Sequence, residues 1–260
     1  MYVRRDALNN VLNHVSHSQI ELFNSCPRKW EYDYVKGIKS PQNPALFLGD
    51  CYHRVLEKNF RYKMSSGEDI DIDIIGDIFE TQWNEMREKS DIDWMGESPI
   101  RLRDIGITLI CEYINEVAYT ITPAFVEKEV KSMIGDVPFV AKIDLIDDCG
   151  RVIDHKTSGK AYSQKDINED MQPSAYAYAL GREINYSNHV AIKKGTPRIQ
   201  IVNTYRDRAD IEWWYNRAYC TVQQMKSGYY PARTDSWKCS VDYCFHYSDC
   251  RKGTAVLRYI

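Results

Sequence analysis

The chain has 260 residues, a formal net charge of -3, and a composition of 43% hydrophobic and 27% charged residues that includes 19 Tyr and 6 Trp. That is enough for a sizeable core, in one large domain or in a core with a smaller appended part. It excludes a global basic field, so a nucleic-acid partner would have to be held by local patches and metal ions, and no apolar run approaches the roughly 20 residues that cross a bilayer.

Met1 to Asn10 is polar and charged rather than the apolar core of a secretory signal. The eight cysteines are therefore expected in a reducing, cytoplasmic setting rather than in a disulfide framework. In chain order, Ser18-Gln-Ile-Glu21 has the form of a capping box and predicts a short helix ending near Cys26-Pro27. Arg28 to Lys36 reads as a further helical stretch. Ala45 to Met64, residues 72–90 and residues 100–118 carry apolar side chains at helical spacing. Ala124 to Val130 alternates like a strand, and Gly135-Asp136 reads as a turn. Val137 to Asp147 and Arg151 to Lys156 flank Asp148-Cys149-Gly150 and predict a hairpin. A helix over 166–180, strands at 189–193 and 198–205, and a helix over 208–227 complete an α/β (α+β) fold.

The hairpin carries the chemistry. With its turn centred on Cys149, Asp144 and Asp154 are symmetric about that turn and face each other across the two strands. Lys156 lies two residues beyond Asp154 and so on the same face, while Ile143, Leu145 and Ile153 point the other way. Adjacent carboxylates repel unless a cation sits between them. A divalent metal with oxygen ligands meets that need and can activate water at a phosphate. Spacing alone leaves open a surface hairpin with an incidental salt bridge. Glu129-Val-Lys131 is a second acid-x-Lys, but Tyr119 occupies the place of its upstream acid.

Two further pieces stand at helical spacing: Gly49-Asp-Cys-Tyr-His53 and Gln172-Pro-Ser-Ala-Tyr176. Together with Asp144 and the Asp-x-Lys of 154–156, and in this order, they resemble the PD-(D/E)xK nuclease superfamily, in particular its RecB-like branch. The resemblance covers residues 49–177. It implies a mixed sheet flanked by helices, with His53, Asp144, Asp154 and the main-chain carbonyl of His155 as ligands of Mg²⁺ or Mn²⁺. It implies Lys156 as the catalytic lysine, and Gln172 and Tyr176 as residues that shape the site or contact DNA. Glu127 is an additional candidate acid.

Four cysteines, at 51, 111, 149 and 220, read as small apolar fillers. Cys239, Cys244 and Cys250 cluster near the C-terminus, with Cys26 as the candidate fourth ligand. Their spacings are loose for a zinc ribbon, and four thiolates suit an iron–sulfur cluster. Structural zinc is the second reading and unligated buried cysteines the third. The pattern of one cysteine before the nuclease core and three after it resembles AddB-type nucleases and CRISPR-associated RecB-like exonucleases, which implies a [4Fe-4S] cluster. Cys239-x₄-Cys244 departs from the two-residue spacing more usual there. The expected organisation is an N-terminal helical region (1–120) with the His-bearing helix, a nuclease core (121–228), and a cysteine segment (229–260) packed with the N-terminus.

The expected function is a metal-dependent exonuclease acting on single-stranded DNA or DNA ends in recombination, repair or processing, alongside recombination or replication proteins and away from membranes. A non-catalytic nucleic-acid-binding or scaffold subunit, and an endonuclease on the same fold, are the alternatives. Arg28, Lys29, Arg54, Lys58, Lys193, Lys194 and Arg198 are candidates for a strand channel.

Overall fold

The computed structural model describes residues 12–255, so the polar stretch Met1 to Asn10 lies outside the described residues. It is a mixed five-stranded sheet, β1 Pro123–Ile134, β2 Val137–Asp147, β3 Val152–Ser158, β4 Ile184–Ile192 and β5 Arg198–Arg206, in the order β1-β2-β3-β4-β5. The helices are α1 His17–Ser25, α2 Pro27–Trp30, α3 Pro44–Ser66, α4 Ile72–Lys89, α5 Pro99–Glu116, α6 Gln164–Glu169, α7 Gln172–Leu180, α8 Arg208–Lys226 and α9 Tyr247–Ala255. No helix among the described residues is long and apolar enough to cross a membrane.

Several expectations are corrected in detail. The first helix is capped by Ser16, whose hydroxyl accepts from the Gln19 N–H, and not by Ser18. After Trp30 the chain widens into a π turn over Glu31–Val35 instead of continuing as α-helix. The expected helix over 166–180 is two helices. Pro173, which lacks an N–H and disfavours helical backbone before it, sits in the first turn of the second. The fourth strand starts at Ile184, five residues earlier than expected. Of the four cysteines read as fillers, Cys51 is buried and Cys111 partly so, while Cys149 and Cys220 are exposed.

The chain forms two compact units. The first holds Pro41–Val130 and Lys142–Ile211. Its apolar core gathers Phe47, Leu48, Val55 and Phe60 of α3, Phe79 and Trp83 of α4, and Leu109 and Ile110 of α5 against Leu145, Ile153 and Ala191 of the sheet. Gly106 permits the close crossing of α4 and α5, because a Cβ there would lie 2.3 Å from Phe79 Cζ. β3 and β4 run parallel, with Lys156 beside Val190 and Ser158 beside Ile192, and α6 and α7 make the crossover that a parallel pair requires.

Arg206, at the end of β5, fastens that crossover. It is buried, and its guanidinium donates to Ser174 Oγ at 3.0 Å and to the carbonyls of Ile167, Asn168 and Asp170 at 2.8, 3.1 and 3.0 Å. The corner between α6 and α7 is therefore held by one side chain.

The second unit holds the described residues up to Ser40, Lys131–Ala141 and those from Glu212 onward. Val15 pairs with Phe139 in parallel, and Phe139 packs on Trp214 with ring centroids 5.1 Å apart. Phe23, Trp30 and Tyr230 form a buried aromatic group. His246 stacks on Tyr32 and pairs with Asp33 at 2.9 Å, which joins the C-terminal segment to the π turn.

Replacing Arg206 by Ala strands the carbonyls of Ile167, Asn168 and Asp170 and should cost about 3 kcal/mol, since each buried unsatisfied polar group costs about 1–3 kcal/mol. Urea unfolding followed by circular dichroism reads the loss. Arg206→Lys should recover only part of it, because a point ammonium cannot span carbonyls that a planar fork reaches together.

Candidate active site

Helix α3 begins at the Asn43 cap, whose side chain accepts from the Leu46 N–H at 2.9 Å. In its second turn, Gly49 faces β3, and a Cβ there would come 3.3 Å from Thr157 Oγ1. The absence of a side chain thus lets the helix approach the strand. His53, one turn further along, reaches Asp144 with Nδ1 3.3 Å from Oδ2. The Gly-x-x-x-His spacing therefore has a packing cause.

The β2–β3 ladder pairs Ile146 with Val152 and Leu145 with Ile153, and the same register carried one step further sets Asp144 beside Asp154. At that point the Asp144 carboxylate takes over from the backbone, and its Oδ2 accepts from the His155 N–H at 2.9 Å. Leu145, Ile153 and Ile143 are buried, as their alternation with the two acids requires. Asp154 is 1% exposed. Its Oδ1 accepts from Gln172 Nε2 at 3.0 Å and from the Tyr176 hydroxyl at 3.2 Å, while Oδ2 lies 2.6 Å from Lys156 Nζ. Lys156 also donates to Gln172 Oε1 at 2.6 Å, and the Tyr176 hydroxyl shares its one proton between Asp154 and the Lys142 carbonyl, which lies 3.0 Å away. Gln172 and Tyr176 thus brace the Asp–Lys pair from the crossover helix.

Glu127, held only as an additional acid in the sequence, completes the front of the site. His53, Glu127 and Asp144 each bring one ligand atom within 4.8 Å of the other two. Asp154, expected in that group, is turned to Lys156, Gln172 and Tyr176 instead. Glu127 has a φ of +51°, a left-handed conformation rare for a residue with a side chain. That turn within β1 breaks the alternation of the strand, which is why sequence pattern could not aim this carboxylate. The cavity in front of these groups has a volume of about 710 Å³ and is lined by Gly49, His53, Glu127, Lys142, Asp144 and Lys156 among others.

Each acid has one cation. Glu127 meets Lys142 at 2.5 Å, Asp144 meets His53 and Asp154 meets Lys156. Burial works to raise the Asp144 carboxyl, but the His53 ring beside it prevails and holds it well below the usual carboxylate range. Burial dominates at Asp154 and, with Asp144 nearby, lifts its carboxyl to about 6 against the pull of Lys156. Burial also raises Glu127. At His53 burial opposes protonation and Asp144 outweighs it, so the ring is raised to about 9. At Lys156 burial is likewise outweighed by Asp154, and the ammonium is stabilised.

Behind the site lies a polar chain that sequence reading passed over. The Tyr113 hydroxyl sits 2.9 Å from His155 Nε2 and 2.8 Å from His189 Nδ1, and the His155 ring stacks on Phe60. Burial pushes His155 down to about 3 and His189 well below its ordinary value, so both rings are neutral. Tyr113 can then donate to one ring and accept from the other. The His155 ring is turned into this network, with Nδ1 3.7 Å from Asp144 Oδ2, and the hydrogen bond to Asp144 comes from the His155 main-chain N–H. The available signal was His189 closing the polar run Ser187-Asn188-His189 of β4, whose last three residues are apolar.

The second unit gathers Cys26, Cys239, Cys244 and Cys250 around one cavity of about 260 Å³, with Arg28, Lys29, Lys238 and Arg251 also on its wall. Cys26 lies at the junction of α1 and α2, and Cys250 donates its N–H to the His246 carbonyl. All four thiols are free, and burial raises those of Cys244 and Cys250. Among the described residues no three of these sulfurs lie within 4.8 Å of one another.

The His53–Asp144 pair has a pH signature. Its folded-state pKa of about 9 lies above the ordinary value of 6.5, so the stability it supplies is complete below pH 6.5 and is lost as pH rises through about 9. Asp154, raised from 3.8 to about 6, contributes with the same sign in the lower window between those values. Thermal unfolding in chelator from pH 6 to 10 should therefore lose stability across the upper window in the wild type. That loss should be absent in His53→Ala, and superimposable profiles would refute the pairing.

Comparison with known proteins agrees with this fold. Over nearly its whole length the chain superimposes on the crystal structure of a candidate exonuclease of Eubacterium rectale, with a TM-score of 0.62, 11% identity, and coverage of 97% of this chain and 96% of that one. SSO0001 aligns over 88% of this chain and 94% of its own with 16% identity, at a TM-score of 0.37 that carries no structural argument. Curated proteins yield no match. The family model described as the PD-(D/E)XK nuclease superfamily matches residues 14–251, and the chain belongs to that superfamily.

Proposed function

We propose that this protein is a Mg²⁺- or Mn²⁺-dependent DNA exonuclease of the RecB-like branch, acting on single strands or DNA ends in recombination, repair or processing. One observation carries the reading: His53, Glu127 and Asp144 converge within 4.8 Å in front of a lysine that is paired to a buried aspartate. An oxygen-rich donor set with one imidazole fits either cation. His53, Glu127 and Asp144 would hold it, with Asp154 and the His155 main-chain carbonyl as the further ligands implied by the family pattern. Such a cation supplies Lewis-acid polarisation of the phosphate and a water of lowered pKa. Lys156, fixed by Asp154 and Gln172, presents a charge that orients the nucleophile and offsets negative charge developing at phosphorus. Tyr176 and Gln172 keep Asp154 from turning away. The description of the Eubacterium rectale neighbour supports the exonuclease part of the reading.

We further propose that Cys26, Cys239, Cys244 and Cys250 hold a [4Fe-4S] cluster. The four thiols line one cavity, and a set of four cysteine thiolates suits a cluster, with zinc as the second reading. The basic wall suits the net negative charge of a thiolate-bound cluster. When bound, the cluster supplies a cross-link between position 26 and residues 239–250, and its binding energy becomes folding energy. Free thiols throughout and a cluster of this kind both fit an intracellular, reducing compartment.

Two experiments test these readings. End-labelled single-stranded, duplex and circular DNA should be degraded with Mg²⁺ or Mn²⁺ from ends only, and Lys156→Ala should lower the rate by about 10³-fold or more, the scale of removing a transition-state charge contact. Cleavage of circles would favour an endonuclease, absence of any metal-dependent cleavage would favour a binding subunit, and full activity in Lys156→Ala would refute the site. Protein purified without oxygen should be brown and iron-containing, with Cys26→Ala losing the chromophore and unfolding at lower temperature. A colourless, iron-free wild type would sink the cluster.

A further inference from the structure

We propose that a second groove, between the start of α5 and the loop after β4, binds the phosphodiester backbone of the strand whose end occupies the catalytic cavity. The proposal rests on the nuclease reading above and adds the path of the substrate beyond the reacting phosphate.

The groove has a volume of about 640 Å³, and its wall includes Gly96, Ser98, Arg101, Lys193, Lys194 and Pro197. Its position follows from the sheet. Because β3 and β4 are parallel and in register, with Lys156 beside Val190, the chain leaves β4 at the same end as it leaves β3. The Lys193 N–H donates to the Ser158 carbonyl at 2.8 Å, so the lysine loop continues the edge of the catalytic strand. Lys193 lies three residue steps beyond Val190, about 10 Å at roughly 3.3 Å per residue. On the other side, Gln42 pairs in parallel with Ile92, exchanging bonds with Asp91 and Asp93. That bridge ties the entry of α3, whose Asn43 and Leu46 line the catalytic cavity, to the segment that leads into the groove. The two cavities flank one backbone seam within the same compact unit.

Charge separates their roles. Beside the carboxylates, Lys142, His53 and Lys156 are each committed to an acid. In the groove Arg101, Lys193 and Lys194 face a single lining acid, Glu97, and among the described residues none of the three has a carboxylate partner. The positive end of the 18-residue helix α5, capped by Ser98, adds to the same field. No aromatic side chain lines the groove, so it offers no platform for stacked bases. Its chemistry matches evenly spaced phosphates, bound without regard to sequence.

The test is the salt dependence of binding. Fluorescent oligo-dT of about 20 nucleotides is titrated in Ca²⁺ with wild type, Lys193→Ala/Lys194→Ala and the charge-conserving Lys193→Arg/Lys194→Arg. Two lost phosphate contacts on a single strand should reduce the log–log salt slope by about 1.4 and weaken binding by on the order of tenfold at moderate salt. The Arg variant should restore both. In Mg²⁺ the Ala variant should show a raised KM for the long oligonucleotide at unchanged kcat, with turnover of a dinucleotide, whose one phosphodiester is the scissile one, at the wild-type level. An unchanged slope and KM would overturn the groove while leaving the nuclease reading intact. A wild type that binds no oligonucleotide would overturn the nuclease reading itself. Far-ultraviolet circular dichroism of the variants checks folding.

Discussion

Glu127, Asp144 and Asp154 bring three carboxylates with side-chain exposures of only 9%, 13% and 2% to one end of a hairpin, and the surrounding structure exists to make that tolerable. Charges so poorly hydrated repel one another and favour protonation unless cations or hydrogen bonds hold them. The chain provides one cation for each: Lys142, His53 and Lys156. Removing any of these leaves a buried charge without a partner, which is far costlier than never having buried the pair. The site is therefore a balanced set of three ion pairs, and its geometry is only as good as the elements that deliver the six side chains.

Those elements are specified by modest local features. Gly49 lets α3 lie close to β3, so that His53 arrives at Asp144. Arg206 holds the corner from which Gln172 reaches both Asp154 and Lys156. Glu127 is aimed by a left-handed backbone turn inside a strand. Such a conformation costs of order 1–3 kcal/mol and persists where surrounding contacts over-determine it. Here those contacts are the ion pair to Lys142 and the burial of Val126 beside it. Strain and function coincide at that residue.

How much of this was legible in the sequence follows from the range of the interactions. Strand alternation and a tight turn set the hairpin, so the opposition of Asp144 and Asp154 and the side occupied by Lys156 could be read directly. His53, Gln172 and Tyr176 followed from ordered spacing that matches a family, and the structure supplies the physical reason for each spacing. Glu127 was only marginal because backbone torsion, not residue order, decides where its carboxylate points. Tyr113 and His189 were invisible as partners because a helix and a strand 76 residues apart meet at one hydroxyl. The break between α6 and α7 was written in Pro173, yet the apolar pattern running across it read as one helix. The cysteine cavity depends on the π turn and on His246 against Asp33 and Tyr32, which no spacing rule encodes.

The balance of pairs also bears on how the proposed nuclease would capture its substrate. While Lys142, His53 and Lys156 are occupied by their acids, the catalytic cavity offers little net attraction to a phosphate. Were a divalent cation held there as proposed, its ligands would be unprotonated, with the His53 ring neutral and Glu127 free of Lys142. Lys142, two-thirds exposed, can swing into solvent at little cost. Lys156 cannot, because Asp154 and Gln172 grip it from a largely buried position. In the proposed nuclease the exposed cation would be the one released toward a phosphate, and the fixed one the one kept at the reacting centre. The groove of Arg101, Lys193 and Lys194 lies outside this exchange. Its charge is present whether or not the carboxylates are ligated, so under the proposed reading it would engage the strand first and leave the cavity to act on the end delivered to it.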